Sequence, residues 1–75
     1  MSVTFAKGEV LVSLGQMTAR LATSLEDDEL VIELDHLTHW QPPDDAVEVT
    51  LEDLMAITVM IEREADRLGL AIAFA

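Results

Sequence analysis

Cysteine and tyrosine are absent from these 75 residues, and glycine, proline and basic side chains are scarce. Without cysteine, no disulfide can staple the fold and no thiolate zinc site can form. That fits a reducing compartment. The three glycines, Gly8, Gly15 and Gly69, are too dispersed for a phosphate-cradling loop. No apolar run approaches the roughly 18 residues of a membrane span. The segment Met1 to Gly8 places Lys7 after its apolar residues, the reverse of a signal peptide. A soluble, unsecreted, cytoplasmic protein is expected. Four bases face fifteen acids, giving a net charge of −11. Between Arg20 and Arg63 there is no Lys or Arg at all. Nucleic acid needs a basic footprint, and an anionic membrane would repel this surface, so neither is an expected partner.

What the chain does have is core material. Apolar residues make up 51% of it, too many for intrinsic disorder despite the charge. A chain this short buries only about 60% of its unfolded surface, so it must pack densely. One domain over residues 1–75 is expected.

The periodicity supplies the elements. Val3 to Ala6 and Glu9 to Leu14 read as strands. Gly15-Gln16 is a two-residue hairpin signal. From Met17 to Leu25 the chain alternates, with Met17, Ala19, Leu21 and Thr23 on one face. Glu26-Asp27-Asp28-Glu29 is a polar turn that lacks the spacing and central glycine of a calcium loop. Leu30 to Leu34 is a fourth strand, and Gln41 to Asp45 must be a loop because it holds Pro42-Pro43. Thr50 opens a helix, with Asp53 three residues on, and Gly69 stops it. Leu51, Leu54, Thr58, Ile61, Ala65 and Leu68 form its expected apolar stripe. Leu70 to Phe74 reads as a last strand. The expected fold class is α+β: a two-layer domain with an antiparallel β-meander of about four strands, one long helix packed on the sheet, and a C-terminal strand.

Nothing in this pattern builds a reactive centre. His36 and His39 stand three apart, on opposite sides of a strand, so metal chelation is disfavoured. Ser2, Ser13 and Ser24 lack a sharp glycine-flanked elbow, and no pair of carboxylates is singled out among so many. No enzyme activity, cofactor or metal is expected.

Three features point to binding instead. The acids Glu26, Asp27, Asp28, Glu29, Glu33, Asp35, Asp44 and Asp45 form a one-signed stretch that would steer a basic protein partner. Trp40, before the stiff Gln41-Pro42-Pro43 turn, is either a core plug, the favoured reading, or an exposed anchor. The helix centre from Met55 to Ile61 is apolar nearly all round. One helix face cannot bury Ile57, Val59 and Met60 together with Leu54, Thr58 and Ile61, so the first three are a candidate oligomer face.

Taken together, the N-terminal meander, the Trp40-Gln-Pro-Pro43 turn, the acidic helix start near Thr50 and the terminal Gly69-Leu-Ala-Ile-Ala-Phe74 strand resemble the immunity protein 74 family of bacterial polymorphic toxin systems. The helix centre is more apolar than is usual in such domains. The resemblance implies a protein that binds a cognate toxin and blocks it. It assigns no contact residues. The alternative is a homo-oligomeric structural or regulatory interaction module without catalytic activity, joined as a homodimer through the helix.

Overall fold

The computed structural model describes residues 2–34, 37, 39–43 and 45–75. Its elements are β1 (Ser2–Ala6), β2 (Glu9–Leu14), β3 (Met17–Glu26), β4 (Glu29–Ile32), α1 (Leu51–Leu68) and β5 (Ile72–Phe74). The strands form one five-stranded sheet in chain order. The first four pair antiparallel, and β5 joins β4 in parallel after the helix returns the chain. This is the expected two-layer α+β domain.

Each turn has its local cause. Gly15 holds a positive φ of 65° at the tip of the β2–β3 hairpin, where any side chain would be strained. At the β3–β4 tip, Asp27 and Asp28 both take left-handed φ, 51° and 66°. Two successive positive values match the twist of the flanking strands, and aspartate tolerates them better than most residues.

Register then sorts the side chains. Val10 stands opposite Leu21, Val12 opposite Ala19, and Phe5 opposite Val10, all on one face. The helix lies across β1 and β2 on that face. Val10, Val12, Ala19, Leu21 and Ile32 from the sheet meet Ile57 and Ile61 from the helix in one buried cluster.

β4 ends at Ile32, earlier than the expected Leu34. The pairing continues by single bonds: Glu33 N–H donates to Ala22 O, and Leu34 N–H to Ala75 O. The chain then turns back, with Leu37 N–H donating to Leu34 O. Leu37 and Trp40 drop into the core. Gln41 N–H donates to Thr18 O at 2.8 Å, which covers part of the β3 edge left uncovered when β4 stops.

The helix caps follow the expectation. Thr50 Oγ1 accepts from Asp53 N–H and Asp53 Oδ2 accepts from Thr50 N–H, each at 3.1 Å. Gly69 has φ 71°, and Leu70 N–H donates back to Ala65 O. The expected stripe needs correcting. Its middle, Leu54, Ile61 and Ala65, does face the sheet, but Leu51 and Leu68 are exposed and Ile57 takes a central buried place. The 18-residue helix is about 27 Å long and a six-residue strand about 20 Å, so the helix ends overhang.

The candidate oligomer face also fails at Ile57, which is fully buried, while Met60 packs partly against the core and only Val59 is exposed. Residues two apart are about 200° apart around a helix, so Ile57 and Val59 cannot share a face. Chemical denaturation checks this register. Ile57→Ala should lose about 2–5 kcal/mol of stability and Val59→Ala no more than about 0.5 kcal/mol. Equal losses would mean that the helix is rotated from this placement.

Candidate partner-binding surface

The acids fall into two groups, set by the topology. The first is the β3–β4 hairpin tip, where Glu26 pairs with Glu29 across the strands and Asp27 and Asp28 make the turn. All four are exposed. The paired strands and the two left-handed aspartates fix their spacing. The tip stands at the C-terminal end of α1, because Leu30 N–H donates to Ala71 O at 2.9 Å just after the helix ends. The second group, Asp45, Glu48 and Glu52, lies in the loop and first turn at the other end of the helix, also exposed. About 27 Å of helix separates the two ends. One continuous belt is therefore not what the fold builds.

Glu33 is half-buried on the sheet face away from the helix, beside Glu9, Arg20 and Ala22 in a shallow depression. Asp35, Asp44 and His36 lie outside the described residues. The described ion pairs, Arg20–Glu9 at 3.6 Å and Arg67–Glu64, involve no acid of the candidate set.

Trp40 is buried and belongs to the core, so the exposed-anchor reading is corrected. Its backbone explains the placement: Trp40 N–H reaches Val47 O at 3.3 Å while the next residue bonds to β3, and this draws the indole inward. Among the described residues, the indole Nε1–H has no acceptor. His39 is exposed and forms an isolated antiparallel bridge with Glu48. Among the described residues no three His, Asp or Glu side chains gather as a metal site. No described helix is long and apolar enough to cross a membrane.

Two apolar features lie near the acids. Leu25, 72% exposed, directly precedes the acidic tip. At the other end, Leu51 (73% exposed), Met55 (63%) and Val59 (46%) project from α1. With Leu34, Leu54 and Thr58 they line an open concavity of about 490 Å³.

A family model described as Immunity protein 74 matches residues 2–75, which takes in every element just described. The chain belongs to the immunity protein 74 family. No curated protein and no solved structure matches it.

In this immunity protein 74 family member, the sequence reading missed Leu25 as a surface residue and put Leu51 in the buried stripe, whereas Met55 lay in the Met55–Ile61 stretch expected to leave apolar surface over. For Leu51 a signal was present: helical positions 51, 55 and 59 form a row four residues apart, beside the buried row rather than within it. Trp40, the single tryptophan, gives a direct check of the core. Its emission should be blue-shifted and resist iodide quenching until denaturation, and Trp40→Ala should cost about 3–5 kcal/mol. Solvent-like emission from the folded protein would contradict its placement.

Proposed function

We propose that the chain is a bacterial immunity protein that binds a cognate protein toxin and neutralises it in the cytoplasm, occupying the toxin's working surface rather than acting as a catalyst. Family membership supports the general role. The observation that carries the specific reading is the excess of acid: net charge −11, with the acids of both groups exposed. Such a field raises encounter rates with a basic partner and repels wrong ones.

A basic surface is what a toxin acting on nucleic acid would present, since it must hold phosphates. Carboxylates set along the hairpin tip and the helix start can take the place of those phosphates. Between Arg20 and Arg63 the chain carries no Lys or Arg. Glu26, Asp27, Asp28 and Glu29 at the tip and Asp45 before the helix are the residues proposed to meet the toxin first, with Glu33, Asp35 and Asp44 as further members of the same field.

Stopped-flow association with the cognate toxin tests this. From about 0.01 M to 1 M NaCl the Debye length shrinks from about 30 Å to 3 Å, so the association rate should fall at least about tenfold while dissociation changes little. Reversal of Glu26, Asp27 and Glu29 to Lys should slow association at low salt without unfolding the protein. An association rate that ignores both salt and charge reversal would refute the electrostatic reading.

A further inference from the structure

The geometry points to the concavity formed by Leu34, Leu51, Leu54, Met55, Thr58 and Val59 as the docking groove for a basic amphipathic helix of the partner protein. The inference deepens the toxin-binding reading and rests on it for the partner's identity.

The groove is built where the fold leaves the helix uncovered. Leu54 turns toward the core, but Leu51, Met55 and Val59 stand one, two and three positions along an i, i+4 row that the sheet does not reach. Leu34 forms the opposite wall, fixed by its N–H bond to Ala75 O at 2.9 Å. Among the described residues the lining is apolar but for Thr58, whose hydroxyl donates to Leu54 O at 2.8 Å. Three large apolar side chains left in water on one short stretch of a 75-residue domain form a patch that marks an interaction site. The row spans two helical turns, the length over which a partner helix inserts its i, i+3 and i+4 anchors. Methionine at its centre can adapt to the inserted side chain.

Charge decides the occupant. In the chain, exposed Asp45 and Glu48 precede Leu51, exposed Glu52 directly follows it, and exposed Glu62 and Arg63 follow Val59 on the helix. A second copy of the chain would bring the same acids face to face, on bodies that each carry −11. A segment with apolar anchors flanked by Lys or Arg fills the groove and neutralises those acids together.

The test uses a synthetic helical peptide with Leu at i, i+3 and i+4 spacing and Lys elsewhere. A control peptide of the same composition has its Leu residues scrambled off one face. The full chain carries ¹³C-methyl methionine, and the variant is Met55→Ser with Val59→Ser, at exposed positions that leave the fold intact by circular dichroism. The patterned peptide should bind at least tenfold more tightly than the scrambled one, with the Met55 methyl signal moving and Met17 unmoved. The double variant should lose that preference while retaining the salt-sensitive attraction common to both peptides.

Equal binding of the two peptides, or an unmoved Met55, overturns the groove. So does a dilution-dependent mass of the free chain that the double variant abolishes, since the occupant would then be a second copy. The toxin separates the two readings. If it binds wild type and the double variant equally, the groove falls and toxin binding stands. If it does not bind wild type at all, the toxin reading falls and the peptides alone decide the groove.

Discussion

The structure depends on one packing constraint. A 75-residue chain with a charge of −11 has a single sheet face on which to bury its core, and it has one helix to cover that face. Ile57 and Ile61 must therefore meet Val10, Val12, Ala19 and Leu21, and among the described residues no polar or charged residue is buried. Trp40 and Leu37 complete the cluster from the loop. Every described carboxylate is displaced outward as a result. The acid surface is the complement of the core: each position given to the cluster fixes the facing of its neighbours.

That constraint also explains the leftover apolar surface. The helix is longer than β1 and β2, the strands it crosses, and its centre is apolar on more than the one side the sheet can cover. Ile57 takes the central place, so Val59, two residues on, must point away. Leu51 and Met55 share its row. The groove is thus a consequence of helix length and period, and the acids beside it come from the same first turn that caps the helix through Thr50 and Asp53. Exposed Leu51 and Met55 and exposed Glu48 and Glu52 thus stand together near the start of the helix.

Much of this was legible in the residues. The alternation from Met17 to Leu25, the Gly15-Gln16 hairpin, the capping pair and the Gly69 stop are local signals, and each led to the element found. Two things were not legible. Linear order shows Glu26 to Asp53 as one acid run, but a parallel return through a helix sends its two ends to opposite ends of the molecule. Which helical residues lie over the sheet depends on the width and stagger of the strands, a tertiary quantity. Ile57 and Val59 looked alike as a pair of apolar letters, whereas for Trp40 the core, favoured from the sequence, is where the structure has it.

We propose that both acid groups face a basic protein partner while the core stays sealed behind them. Carbodiimide footprinting of exposed carboxylates, read by mass spectrometry on the free chain and on its complex with the toxin, tests this most directly. In the complex, labelling should fall at Glu26 to Glu29 and at Asp45, Glu48 and Glu52, and remain unchanged at Glu9 on the other sheet face. Protection confined to Glu9 and Glu33, with both acid groups labelled as freely as before, would contradict the account.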